Sequence, residues 1–548
     1  MAEKKFVVAI GGTGMRCLES FVHLCAIGMF DNEEIEILTL DTDQSNGNKS
    51  RVEQLISLYN EVKSDATNKI DGGNPTSNNF FSAKINLYRY FTNYNDKDRD
   101  NYAKLAQLGT GDPEVQRENQ ALSDLFLDKN TVQVFNLERG YRAQTHLGSY
   151  LMYHSIIETA RRLRGGDDNV REEEKSFKEF LNKLSIHAAN ARVFVFGSVF
   201  GGTGASSIPV IPVAFRDAIN TLDGISSINL KDVKFGATLL TEYFTTPKPS
   251  DTMKTKEGVV ADSTFFPINS QAALQFYQSD PTVMTTYRRL YHVGWPQQSK
   301  SLDPDGEQAP IKTGGDEQKN NCHIVELLCA CAALDFFRTD GKLLTKNEAV
   351  YLYKSTSVSN GVYNFTGSDL VGSSMSTEFE RKLGAFFSLS HMILGKQDGA
   401  HTLMGTYGLV DRLNQQKVTG YKDMTKDQLK QIDAYLSKFA YSIDSSGTHL
   451  GWIYQVFNSV TADSSSANFI FKSDAFNQNN IQKVDPGEIY NDDKHNWDKK
   501  LGSNRYDLFV KKFAELSNAL PKDEQGSTVK EKLLAHLFNA IMIAQKFE

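Results

Sequence analysis

Two short glycine clusters, each directly behind an apolar β-branched run, are the residues best suited to chemistry. The first is Phe6-Val7-Val8-Ala9-Ile10-Gly11-Gly12-Thr13-Gly14-Met15. The second is Val193-Phe194-Val195-Phe196-Gly197-Ser198-Val199-Phe200-Gly201-Gly202-Thr203-Gly204-Ala205-Ser206-Ser207. Glycine lets backbone N–H groups approach an anion closely, and the start of a following helix favours negative charge. Amides of Gly12 to Met15 and of Gly202 to Ala205 would surround phosphates. The Thr13 and Thr203 hydroxyls would add donors or help hold a Mg²⁺ shell. Two such turns suggest a polyphosphate gripped from two sides, so a nucleotide is the first expectation.

The elements needed to position these turns are legible. A strand over 5–10 runs through the first turn into a helix at 15–29, and a second strand, Ile35 to Leu40, ends on Asp41-Thr42-Asp43. Strand, glycine turn, helix, strand and acidic end form the opening of a doubly wound α/β fold. Residues 44–130 are polar and read as an insertion, with a Gly/Asn/Ser cluster at 71–79. The core is expected to resume as a strand at Val132 to Phe135. The loop Glu138 to Gly148 then leads into a helix at 148–163, closed by Gly165-Gly166-Asp167-Asp168, and a charged helix spans 171–184. Further strands are expected at Val233–Leu240 and Tyr287–Val293, a helix from Asn269, and a long apolar helix from Cys322 to Phe337. This places a nucleotide-binding domain at 1–345 and a second, α+β domain at 346–548. A last amphipathic helix spaces Val529, Leu533, Leu534, Leu537, Ile541 and Ile543 on one face, to pack on the body or on a partner.

Neither glycine turn carries the Gly-Lys-Ser/Thr of a P-loop. Gly12 and Gly14 fit a dinucleotide fingerprint, but the third glycine position is Cys17. With Asp41 as a ribose acceptor, a Rossmann-type NAD(P)-dependent oxidoreductase remains the alternative reading, although it leaves Gly201 to Gly204 unexplained. His323 and Glu326 are expected to pair structurally, without a third metal ligand.

Taken together, the order of motifs over roughly residues 5–337 resembles the tubulin/FtsZ superfamily, and within it the divergent bacterial tubulin-like branch. Gly11 to Gly14 match the family's first glycine loop, and Asp41-Thr42-Asp43 the element ending its second strand. Gly140 through Gly148 resemble its next phosphate loop. Phe200-Gly201-Gly202-Thr203-Gly204-Ala205 resemble the hallmark G-G-G-T-G-[SA], with Phe200 in place of the first glycine. The resemblance implies GTP or GDP with Mg²⁺, the ion reached by Asp41 or Asp43 through water. It also implies a sugar contact at Glu242 and a guanine-reading Asn320 or Asn321 at the start of the long helix.

It implies, further, head-to-tail self-assembly into filaments, with GTP hydrolysed at the subunit interface by an acid inserted in trans. Asp335 and Asp340 are the candidates, but the usual Asn-x-Asp element is missing, so a non-hydrolysing scaffold is a third reading. The family context is bacterial cytoskeletal, phage-related or stress and defence roles, with other bacterial proteins as further partners.

Bulk properties narrow the classes. The chain has 548 residues, 40% hydrophobic, and a net charge of −7, which argues against an extended nucleic-acid surface. No apolar run approaches spanning length, and the chain enters a strand with no room for a signal peptide, so a cytoplasmic protein is expected. The five cysteines, Cys17, Cys25, Cys322, Cys329 and Cys331, have neither zinc nor disulfide spacing and read as buried thiols.

Overall fold

A computed structural model describes residues 3–63, 79–91, 140–165, 170–245, 259–295, 299–300, 315–354, 357–359 and 362–394. With short gaps it also describes 405–497, 509–514 and 529–545, and isolated positions within 113–125 and at 251 and 254. The expected strand at Val132 to Phe135 lies outside the described residues, as do most of the 71–79 cluster and the Gly166-Asp167-Asp168 stop.

Seven parallel strands form the central sheet in the order β3-β2-β1-β4-β5-β6-β7. They are β1 (Lys4–Ile10), β2 (Glu34–Asp41), β3 (Lys84–Phe91), β4 (Ala191–Phe196), β5 (Lys234–Leu240), β6 (Tyr287–Val293) and β7 (Val350–Lys354). Strands alternate their side chains between two helical layers. Val7, Ala9, Phe194 and Phe196 face one apolar core, while Phe6, Val8, Val193 and Val195 face the other. The first layer includes α1 (Gly11–Ala26) and α2 (Gly47–Val62), and the second α3 (Thr145–Arg164), α4 (Glu172–Ile186), α5 (Gly202–Ser207) and α6 (Ile211–Thr221). Helices α7 (Phe266–Ser279) and α8 (Pro281–Thr286) precede β6, and α9 (Ile324–Arg338) precedes β7. This is a Rossmann-like α/β fold.

Elements of the central sheet fall on both sides of the boundaries expected at 44–130 and at 345. Within 44–130, α2 packs in the first layer and β3 belongs to the sheet. Its polar look has a cause: β3 is an edge strand whose Asn86 and Tyr88 donate to Glu36 on β2. Beyond residue 345, β7 completes the same sheet.

The rest of the carboxyl-terminal half carries a three-stranded sheet, a hairpin and helices that pack on the first layer. Trp452 Nε1 donates to Ser20 Oγ at 2.9 Å, and Tyr435 pairs with buried His23 at 3.1 Å. The last helix, Val529–Ala544, rests on the chain's own body: Phe538 meets Phe80 at 4.8 Å between ring centroids.

Helix α9 runs across the sheet. Fifteen residues at about 1.5 Å each span some 22 Å. Its far end is held by Arg192 at the start of β4, whose Nη1 donates to the carbonyls of Phe336 at 2.8 Å and Thr339 at 2.7 Å. No helix among the described residues is long and apolar enough to cross a membrane. All five cysteines are buried and none forms a disulfide.

Candidate functional site

Strand order reverses between β1 and β4, and in an open α/β sheet the crevice beyond the carboxyl ends of such strands is where ligands bind. Both glycine turns lie there. Helix α1 begins at Gly11 with no side-chain cap and no acid in its first turn, leaving its first amides directed outward. A third segment, Gly140 to Ala143, closes in from the start of α3. The three meet around Thr203. A Cβ on Gly11 would stand 3.1 Å from Thr203 Cβ, and one on Gly140 would stand 3.3 Å from Thr203 Oγ1. Both glycines have left-handed φ, +66° and +77°. At Gly202 a Cβ would lie 2.7 Å from the backbone N of Ala143, so only glycine permits this approach.

The third segment is itself strained. Arg142 and Ala143 follow Gly140 with φ of +43° and +63°, a conformation unusual for side chains of any size. Strain of this kind persists only where the surroundings over-determine it, and it concentrates at ligand sites.

The cavity between the three segments holds about 130 Å³ and is lined by Gly11, Gly12, Thr13, Asp41, Asp43, Gly140, Gly201, Gly202, Thr203 and Gly204. At about 30 Å³ per water, this is the scale of phosphate groups rather than of a whole nucleotide. Asn46, Arg142, Phe200 and Gln318 also line it. Arg142 is the single cation among the described lining residues.

The acids divide in role. Asp43 is committed: Oδ1 accepts from Ser45 N at 3.0 Å, and Oδ2 accepts from Gly315 N at 2.6 Å. Asp41 is half committed, with Oδ1 accepting from Thr42 N at 2.8 Å while buried Oδ2 has no partner among the described residues. The Thr42 hydroxyl beside it is likewise unpartnered. Burial, and then Asp43 nearby, push the Asp41 carboxyl up to about 7. Near neutral pH it is therefore close to half protonated, which lessens its repulsion of an anion. Among the described residues no group of three or more His, Cys, Asp or Glu is placed to hold a metal.

No protein-family model matches this sequence, and no curated protein matches it. The case for function therefore rests on the site itself.

Several expected site residues, Gly14 among them, are not in the lining of this cavity. The Met15 side chain is buried in the core, and Ala205 lines a neighbouring cavity. Glu242 does not line the cavity; its Oε2 accepts from Ser270 Oγ at 2.5 Å. Asn320 and Asn321 precede α9 rather than open it, because His323 and Glu326 form a capping box that starts the helix at Ile324. Neither asparagine lines the cavity; their carbonyls accept from Arg51 and Arg16. Asp335 Oδ2 accepts from Tyr291 at 2.5 Å and Arg289 at 3.1 Å, and Asp340 caps a short turn through Lys342 N at 3.0 Å. Asp340 sits at the opposite, amino-terminal edge of the sheet, where a Cβ on Gly341 would stand 3.2 Å from Glu3.

The amides that do reach the cavity are Asn46 and Gln318, joined by a 2.8 Å bond from Asn46 Nδ2 to Gln318 Oε1. A buried network beneath holds this segment in place. Arg16 pairs with Glu326 at 2.6 Å, Tyr243 donates to Glu326 at 2.7 Å, and Arg51 bonds the Asn320 carbonyl at 3.0 Å. Phe200 packs against Phe266 and Phe244 at 5.0 and 5.4 Å between centroids and forms part of the cavity wall.

Proposed function

We propose that this chain is a tubulin-like nucleotide-binding protein that holds the phosphates of GTP, with Mg²⁺, in the crevice between β1 and β4. One observation carries the reading. Turns from three separate segments, with uncapped amides, left-handed glycines and one arginine, converge on Thr203 at the point where strand order reverses. Amides of Gly11 to Thr13 and Gly201 to Gly204 would bind phosphate oxygens. Thr13, Thr203 and Arg142 would add donors and charge. Asp41, with its open Oδ2, would meet a magnesium-bound water. Asn46 and Gln318, rather than Asn320 or Asn321, are the amides within reach of the ligand.

Head-to-tail assembly would bring the amino-terminal edge of one copy onto the glycine loops of the next, and Asp340 with it. Asp335 is bound to Arg289 and Tyr291, and Asp340 is spent as a cap. This favours binding and assembly over rapid hydrolysis, and so keeps the non-hydrolysing scaffold as a version of the same proposal.

A second reading also has an observation behind it. The order β3-β2-β1-β4-β5-β6 with an acid ending β2 is shared with dinucleotide-dependent oxidoreductases, and Asp41 stands where a ribose acceptor would. Sedimentation of the full chain with GTP, GDP, ATP or NAD, with released phosphate counted, separates the two. GTP-specific pelleting lost in Gly202→Val supports the tubulin-like reading, whereas binding of NAD alone supports the other.

A further inference from the structure

A second, larger cavity adjoins the glycine-loop site. It is a cleft of about 800 Å³, is lined by residues of α3, α5 and α7, and shares Arg142, Ala143 and Val260 with the smaller cavity. This volume lies in the range of small-molecule pockets, roughly 300–1,000 Å³. Its floor is apolar, with Ala205, Pro209, Ala273 and Tyr277. At its rim Phe265 and Phe276 are 56% and 51% exposed, large apolar side chains left in water.

The charged groups on the wall are unequal. Arg142 and Lys254 carry positive charge, against Asp262. Asp262 Oδ1 is already engaged by Thr264 N at 3.0 Å and Thr264 Oγ1 at 2.8 Å. Burial lowers the pKa of His146, which is therefore neutral at physiological pH. The balance is an apolar bed with a cationic end.

We propose that this cavity binds an amphiphilic anion, a molecule with an aromatic or aliphatic body and a single carboxylate or sulfonate headgroup. The body lies on Ala273, Phe265 and Phe276, and the headgroup meets Arg142 and Lys254. The inference uses the neighbouring cavity and a different chemistry, and shares Arg142 with the phosphate site, so the wall variants Ala272→Trp and Phe276→Ser, which do not line that site, test it separately.

The test titrates the full chain with two fluorescent probes, anilinonaphthalene sulfonate and its uncharged counterpart N-phenyl-1-naphthylamine. The sulfonate should bind saturably at one site and at least ~10-fold more tightly than the neutral dye. Ala272→Trp, at an exposed wall position, fills the cavity and should weaken the sulfonate at least ~10-fold without lowering the melting temperature. Phe276→Ser tests the same wall by removing contact instead of adding bulk, and should weaken both dyes. Arg142→Gln should narrow the gap between the dyes. Equal affinity for the two dyes, sulfonate binding unchanged in both wall variants, or a full gap persisting in Arg142→Gln would overturn the proposal.

Discussion

The two edges of the central sheet are built on opposite plans. At the amino-terminal edge Arg192 donates to the carbonyls of Phe336, Phe337 and Thr339 and pairs with Glu3 at 2.6 Å, while Asp340 caps its own turn. Backbone carbonyls and charge there meet one another through the Arg192 Nη atoms, although its Nε has no partner among the described residues. At the carboxyl-terminal edge the α1 amides lack a cap, Asp41 Oδ2 and Thr42 Oγ1 lack partners among the described residues, and Gly140, Arg142 and Ala143 hold left-handed backbone. Polar groups left unmet in a buried place cost stability. The contrast teaches that the first edge fastens the fold, while the second keeps binding capacity that the protein alone does not consume.

Four substitutions would break or sharpen that contrast. The largest effect is expected from Arg192→Ala, which strands three carbonyls and should cost about 3 kcal/mol of unfolding free energy by denaturant titration. Nucleotide affinity in the folded variant should be unchanged. Gly202→Val should do the reverse. Its side chain would meet the Ala143 nitrogen and Tyr141, lowering nucleotide affinity at least ~100-fold by equilibrium binding, or about 2.7 kcal/mol, with the smaller loss in stability.

A third effect depends on pH. Asp41 titrates near 7 in the fold and near 4 in the unfolded chain, so between those values the native state holds a proton that the unfolded chain has released. Stability therefore falls as pH rises through that window. Asp41→Asn keeps the acceptor for Thr42 and removes the charge. It should be more stable than the wild type at pH 8, by about 2 kcal/mol or more, with the advantage vanishing near pH 4 in thermal melts. The smallest effect is Asp340→Ala, a lost cap worth about 1 kcal/mol with no change in nucleotide affinity. If Asp340→Ala instead abolished phosphate release by an assembling protein, this edge would have a catalytic part as well.

Much of the fold was legible because its central strands are unambiguous. Val7-Val8-Ala9-Ile10 and Val193-Phe194-Val195-Phe196 are buried on both faces and read as continuous apolar runs, each ending in glycine. Edge strands carry no such signature. Lys84–Phe91 alternates Asn, Arg and Tyr, and its membership of the sheet shows only through pairing with β2. The start of α9 was misplaced by two residues because Asn320 and Asn321 resemble caps, while His323 with Glu326 does the capping. Within the site, the glycines were visible one turn at a time. Asn46 and Arg142 carry no local signal, since no spacing ties positions so far apart and only the folded loops bring them, with Gln318, to one cavity.

The central claim is that the carboxyl-terminal edge grips a triphosphate, and direct binding tests it best. Titration calorimetry of the full chain would compare GTP, GDP, ATP, NAD and inorganic triphosphate, with Mg²⁺ present, in the wild type and in Gly202→Val. The account predicts that GTP binds one site per chain and more tightly than ATP, that inorganic triphosphate competes with it, and that Gly202→Val loses both. No binding of GTP or triphosphate by the folded wild type, or binding of NAD alone, would contradict it.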